Sequence, residues 1–320
     1  MKVARSIRVL HEDNRATFER LGAFVGEYLG KVCNDKGWFF SQRVKTLESF
    51  ALKFETGRFS KERIFEDFYV CTIIVPTLLD IDQAEDVVDG KFEQVERRPR
   101  DDQHTAKNSS DFRFDSLRKY VRKKPADTGR GEDIDGLIFE VQIKSILEHA
   151  WSLATHDLIY KTNSVSWPKE RIAYQVKATL EHADVSIAEA EKLSRSPSVA
   201  KRNKDTEEML SIIELCEDIW PLESLPEDRR RLGENIRNLK RIASIGNDVL
   251  GEVVREEIRR SGILPKNLSP YSFVVQALLH SRRFNFIEMV RRSRRQVIIH
   301  SEMELPAELV AGSDGFVKID

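Results

Sequence analysis

Between Gly136 and Lys161 the spacing of apolar residues changes from a period of two to the period of a helix. Leu137, Phe139, Val141 and Ile143 alternate with Ile138, Glu140, Gln142 and Lys144. A strand here shows Glu140, Gln142 and Lys144 on one face. From Ser145 onward Leu147, Trp151, Ala154 and Leu158 form one helical stripe, with His149, His156 and Tyr160 on a second face. A strand bearing a carboxylate that runs straight into a helix suits the floor of a phosphate-transfer site. A simply wetted strand face accounts for the same alternation.

The chain has 320 residues, enough for two domains. Its 52 Lys and Arg against 53 Asp and Glu leave a net charge of −1, so no strong overall field draws in nucleic acid or membrane. Cys33, Cys71 and Cys216 are far apart and form no CxxC pair. That argues against a disulfide framework or a zinc cluster and for a reducing cytosol. No apolar leader or membrane-length run occurs, so a soluble cytoplasmic protein with no membrane partner is expected.

Residues 5–34 carry a helical pattern. In Ser41–Phe54, Arg43 and Lys45 lie on one side of an extended piece, and Ser49 and Lys53 are one helical turn apart. Four donors meeting at a helix start suit a polyphosphate, although a solvated basic face has the same spacing. Asp67–Pro76 reads as a buried strand, uncharged after its first residue. An acid at such a strand's mouth meets cations, holds Mg²⁺ or stays in water. Asp80–Val88 reads as a short helix, Phe92–Glu96 as a strand and residues 97–111 as a polar loop. Phe112–Lys124 reads as a strand ending in the basic run Arg118–Lys124, and Pro125–Asp135 as a hairpin loop.

The segment around residues 40–165 resembles the RelA/SpoT nucleotidyltransferase family. Glu140, Val141, Gln142, Ile143 and Lys144, followed by Trp151, His156, Tyr160 and Lys161, match that family's E-(I/V)-Q-(I/L)-R strand and W…H-x-x-x-Y-K helix, with Lys144 replacing Arg. Arg43, Lys45, Ser49 and Lys53 match its triphosphate-gripping R-(I/V)-K-x-x-x-S-x-x-x-K element. Asp67 matches the metal-holding Asp of D-x-x-G-x-R, with Val70 in place of Gly and Thr72 in place of Arg. Either Arg58 or Arg63 then stands in for that missing Arg, or donor binding is weaker. Phe114, Ser116 and Leu117 match G-Y-x-S-L-H, with Arg113 for Gly and Arg118 for His. His149 stands where these synthetases often carry Asn beside the guanine.

The resemblance implies an α+β nucleotidyltransferase-like fold, a mixed sheet flanked by helices. It implies transfer of pyrophosphate from ATP to a ribose 3′-OH, giving a guanosine tetraphosphate-type alarmone of the stringent response. Asp67 and Glu140 would hold Mg²⁺, with Glu140 also the base. Arg43, Lys45, Ser49, Lys53 and Arg58 would bind ATP. Phe114, Ser116, Arg118, Gln142, Lys144, His149 and His156 would serve the acceptor, with Phe114 stacking on its base. The acceptor is open: a guanosine or adenosine nucleotide, or tRNA, toward which Arg113, Arg118, Arg122, Lys123 and Lys124 point. The tRNA case belongs to the family's toxins and implies an antitoxin partner. Open too are a homo-oligomer and a relative that only binds nucleotide or RNA.

Beyond the match, Pro168 opens a helix continued by Ile172, Val176, Leu180 and Ala183, and Ser194–Lys204 reads as a linker. This divides the chain into a synthetase domain, 1–195, and a helical domain of about five helices, 205–320. Arg291–Arg295 is a second basic cluster, read as a solvated face. His156-Asp157 looks like the HD pair of phosphohydrolases but lacks that site's further ligands. His149 and His156 have no third ligand for a metal.

Overall fold

The computed structural model describes residues 2–55, 63–100, 116–124, 132–155, 165–201, 203–310 and 314–319. The chain divides into two compact units, Met1–Val199 and Ala200–Asp320. Among the described residues no helix is long and apolar enough to cross a membrane.

The first unit is α+β. Its elements run α1 (Arg5–Asp35), β1 (Phe39–Val44), α2 (Leu47–Glu55), β2 (Tyr69–Val75), α3 (Ile81–Lys91), β3 (Phe92–Arg98), β4 (Leu117–Lys123), β5 (Ile138–Ser145), α4 (Ile146–Thr155), α5 (Trp167–Ala188) and α6 (Ala190–Ser194). The five strands form one mixed sheet in the order β1-β2-β5-β4-β3. β2 and β5 pair in parallel, and the other neighbours are antiparallel. Uncharged β2 lies inside the sheet with Cys71, Ile73 and Val75 fully buried, as its β-branched sequence requires.

One sheet face is the core. Tyr69, Cys71, Ile73, Phe139, Val141 and Ile143 meet Phe18, Leu21, Val25 and Leu29 of α1 and Ile81, Ala84 and Val88 of α3. Helix α1 lies close to the sheet at Gly22, where a Cβ would come within 3.0 Å of the Tyr69 ring. His11, Phe18, Phe50, Phe65 and Phe68 form an aromatic cluster. The Phe50 ring stacks on Phe65 at 5.9 Å and meets Phe68 edge-on at 5.0 Å. His11 Nε2 donates to the Lys45 carbonyl over 2.9 Å. These contacts tie α1, α2 and the approach to β2 together.

Two expected helix faces differ. In α4 Trp151 is buried but Ala154 is exposed; Thr155 is buried instead and donates to the Trp151 carbonyl. In α5 Ile172 and Val176 are exposed, at 57% and 43%, and the buried side is Ala173, Lys177 and Asp184. Polar partners decide this packing. Ser145 Oγ donates to Asp184, Lys177 Nζ to Glu148, and Trp151 Nε1 to the Ala173 carbonyl at 2.8 Å. A fully partnered polar face is buried at little cost, and apolar periodicity does not register it.

The second unit is mainly helical: α7 (Lys204–Ile219), α8 (Arg229–Ala243), α9 (Asn247–Ser261), α10 (Pro270–His280), α11 (Phe286–Arg292) and α12 (Ala307–Val310). Its own core includes Ile212, Trp220, Ile236, Leu250, Phe273 and Val290. The structure adds two strands to the expected helices, β6 (Val297–His300) paired in parallel with β7 (Phe316–Ile319). The β-branched run Val297–Ile299 favours that pairing.

Removing a ring from the aromatic cluster opens a cavity beneath both α2 and the start of β2. Phe68→Ala should lower stability by about 3–5 kcal/mol. Phe39→Ala, at a 62% exposed position, should change it by no more than about 0.5 kcal/mol. Urea titration followed by circular dichroism reads both.

Candidate active site

The second sheet face carries the candidate site residues, and the parallel register brings them together. Val70, Thr72 and Ile74 of β2 lie beside Glu140, Gln142 and Lys144 of β5. Arg43 of β1 flanks Val70, and Tyr120 and Arg118 of β4 flank Glu140 and Gln142. This face is not wetted at its centre, because Glu140 and Lys144 are each only 5% exposed.

A buried carboxylate needs partners. Gln142 Nε2 donates to Glu140 Oε1 at 2.6 Å, Tyr120 Oη to Oε2 at 3.3 Å, and Arg118 Nε lies 3.9 Å away. Burial, with Glu140 alongside, pushes the Tyr120 phenol well above its usual range, so it stays protonated as a donor. Burial also pulls Lys144 down to about 8, with Arg118 and Arg43 lowering it further and Glu148 and Glu140 opposing them. His149 is held below the ordinary histidine value by burial and by nearby Lys144.

The other cationic residues gather on Asp67. Lys45 Nζ donates to one carboxylate oxygen at 2.5 Å and Lys53 Nζ to the other at 2.7 Å. Burial works to raise Asp67, but the two lysines outweigh it and hold the acid below its usual range. Ser49 sits in the first turn of α2, its amide capped by Thr46 Oγ1 at 3.3 Å. Arg43, Lys45, Ser49 and Lys53 thus come from one strand end and the helix that follows it.

Asp67 and Glu140 keep separate partner sets. Among the described residues no group of three or more His, Cys, Asp or Glu is placed to hold a metal. The two acids still offer the hard oxygen donors that Mg²⁺ takes, and one or two carboxylates suffice when substrate phosphates complete the shell. The donor set fits an ion whose shell is completed by a ligand's phosphates.

The basic strand is occupied from within. Lys119 pairs with Glu85 and Asp89, Arg122 with Glu93, and Lys123 with Glu132 and Asp135, while Lys124 donates to the Asp89 carbonyl. Of the described basic residues of that run, Arg118 is the one paired with Glu140. Arg63, expected as a stand-in for the missing Arg at Thr72, is engaged by Glu96 and Glu66. Arg58, Arg113, Phe114, His156, Tyr160 and Lys161 lie outside the described residues. Ser116 Oγ is buried at the start of β4 with no hydrogen-bond partner among the described residues.

Several site residues escaped the reading of the sequence. Arg98 lies over the Tyr120 ring, 4.5 Å from its centre, and donates to its hydroxyl at 3.2 Å. Glu96 bonds Arg98 and Arg63, which hold its carboxyl down at about 2. Glu66 also acts on Tyr120, and its Oε2 is buried without a hydrogen-bond partner among the described residues. The missed signal is a register shift on β3 between Gln94 and Glu96, which turns Glu96 and Arg98 toward Tyr120 and Arg118.

Lys144 has a direct test. Lys144 in ¹³Cε-lysine-labelled protein, assigned by its loss in Lys144→Arg, should titrate near 8. Ordinary lysines hold to about 10.4, and no early titration would contradict the burial. The sign for folding follows. A folded value below the 10.5 of the free side chain means the charged amine opposes folding in full below about pH 8. That penalty disappears as pH rises from about 8 to 10.5.

Residues 42–165 match the family model described as "Region found in RelA / SpoT proteins". No curated protein matches the chain. Among solved structures, the chain is similar to small alarmone synthetase 1 from Bacillus subtilis: 16% identity, TM-score 0.46, 57% of this chain and 97% of that one. A GTP pyrophosphokinase family protein from Streptococcus pneumoniae matches at 17% identity and TM-score 0.44, over 60% of this chain and 97% of that one. The Bacillus subtilis synthetase 1 bound to its product pppGpp matches at 20% identity and TM-score 0.40, over 49% and 80%.

Proposed function

Because residues 42–165 place this chain in the RelA/SpoT-domain family, we propose that it is an ATP-dependent pyrophosphokinase acting on a guanosine nucleotide. Family membership supports the general reaction, a pyrophosphotransfer. The observation that carries the finer reading is Glu140: a buried carboxylate held by Tyr120 and Gln142, with Lys144 and Arg118 beside it.

In this reading Arg43, Lys45, Ser49 and Lys53 receive the donor's triphosphate. Asp67 neutralises Lys45 and Lys53 while no anion is present. The phosphates take over the lysines, which frees the carboxylate. Mg²⁺, held by Asp67 and Glu140, would supply positive charge to the phosphates when bound. Glu140 accepts the proton of the ribose 3′-OH as that oxygen bonds to the β-phosphorus. The bond from that phosphorus to the oxygen bridging to the α-phosphate breaks, and AMP leaves. Gln142 and Tyr120 hold Glu140 in place. Lys144 and Arg118 offset charge on the acceptor's phosphates, and Ser116 offers a buried hydroxyl with no hydrogen-bond partner among the described residues. Phe114 stacking on the base, with His149, His156 and Arg58 assisting, belongs to the same reading.

A tRNA acceptor needs a free basic surface. Lys119, Arg122 and Lys123 are paired with acids of neighbouring elements and do not supply one. The free nucleotide is therefore the reading adopted.

Incubation with γ-³²P-ATP and GDP, GTP, ATP or bulk tRNA tests it. Label should appear on the guanosine nucleotide, and Glu140→Gln should lower the rate by about 10²–10⁴-fold without changing the circular dichroism spectrum. Label on tRNA alone, or an undiminished rate in Glu140→Gln, would overturn the reading.

A further inference from the structure

The second unit lies outside the family match and has a cleft of its own, about 440 Å³, between α8 and the end of α11. Four arginines line it, Arg241, Arg292, Arg294 and Arg295, together with Asn238, Ile242 and Met289, and among the described residues no acid does. We propose that this cleft binds a nucleoside polyphosphate, its phosphates on the arginines and its base against Ile242 and Met289.

Charge is the first ground. Four guanidinium groups around one small space repel each other unless something offsets them. Helix ends explain part of the arrangement, since Arg241 and Arg292 lie in the last turns of α8 and α11, where cations are favoured. Arg292 also pairs with Glu288 at 3.0 Å, and Arg241 reaches Glu208 at 3.8 Å and Asp205 at 4.0 Å. Neither explanation extends to Arg294 and Arg295. They lie beyond α11, are exposed, and have no ion pair among the described residues. Ser293 shapes their turn: its Oγ donates to the Arg295 carbonyl at 3.0 Å and accepts from the Arg295 amide at 3.2 Å.

The chemistry of the lining is the second ground. Planar guanidinium forks match phosphate oxygens in pairs, which an ammonium does not. A simple anion site has no use for Ile242 and Met289, whereas an apolar wall and a polarizable thioether suit a flat ring. Asn238 can both donate and accept at a base edge. The volume falls in the range of about 300–1,000 Å³ typical of small-ligand sites. The proposal stands apart from the transferase reading, because it draws on no residue of the first unit.

Isothermal titration of the full chain with GTP, without divalent ions so that no turnover occurs, tests it. Wild type should bind two equivalents, one per unit. Arg294→Ala/Arg295→Ala should lose one, its affinity reduced at least tenfold, and the lysine pair Arg294→Lys/Arg295→Lys should fall between. Lys45→Ala/Lys53→Ala should keep the equivalent that depends on Arg294 and Arg295. If the transferase site itself binds no nucleotide, wild type binds one equivalent and Arg294→Ala/Arg295→Ala none. GTP binding unaltered by Arg294→Ala/Arg295→Ala would overturn the proposal. So would inorganic tripolyphosphate binding there as tightly as GTP, or a short single-stranded RNA displacing GTP at far lower concentration.

Discussion

The parallel pairing of β2 with β5 is the contact on which the first unit depends. It sets an uncharged strand beside one whose outward residues are Glu140, Gln142 and Lys144, and it puts Phe139, Val141 and Ile143 into the core. A slip of one residue would exchange the faces. Glu140 and Lys144 would then enter an apolar interior, at a cost of several kcal/mol each. The apolar face fixes the register, and the register places the acid and the amine on a central strand with cations on either side.

The site is coupled to packing at a second place. Phe50 lies on α2 between Ser49 and Lys53, and Phe68 follows Asp67, so the aromatic cluster locates both partners of the Asp67–lysine contact. A carboxylate clamped by two lysines is a stable resting arrangement, and under the proposed function the donor's phosphates would replace it. Positive groups crowded without it would repel, and Asp67 answers them until a better anion arrives. The same logic separates most of the basic run on β4 from a binding surface: Lys119, Arg122 and Lys123 are matched to acids on α3, β3 and the turn before β5, so they serve the fold.

Much of this was legible in the residues. Strands β1, β2 and β5 and helices α1 and α2 follow from alternation and helical periodicity, whereas Glu140, Lys144, Arg43, Lys45, Ser49 and Lys53 stand out through the RelA/SpoT resemblance, since their spacing alone fits a solvated face. The Glu96–Arg98–Tyr120 group was not legible, because its face depends on an irregular register between Gln94 and Glu96. Nor was the buried side of α5, which is chosen by Asp184 and Lys177 finding Ser145 and Glu148, not by its apolar stripe. Pairing across strands and burial of matched polar groups are tertiary facts, and a single sequence carries no periodic trace of them. The parallel pair β6–β7 in a helical unit belongs to the same class.

A crystal structure of the chain with a non-hydrolysable ATP analogue and Mg²⁺ addresses the central claim most directly. The account predicts the triphosphate on Arg43, Lys45, Ser49 and Lys53, with Asp67 released from the two lysines and Glu140 still bonded to Gln142. A triphosphate bound away from this face, with Asp67 still clamped by Lys45 and Lys53, would contradict it.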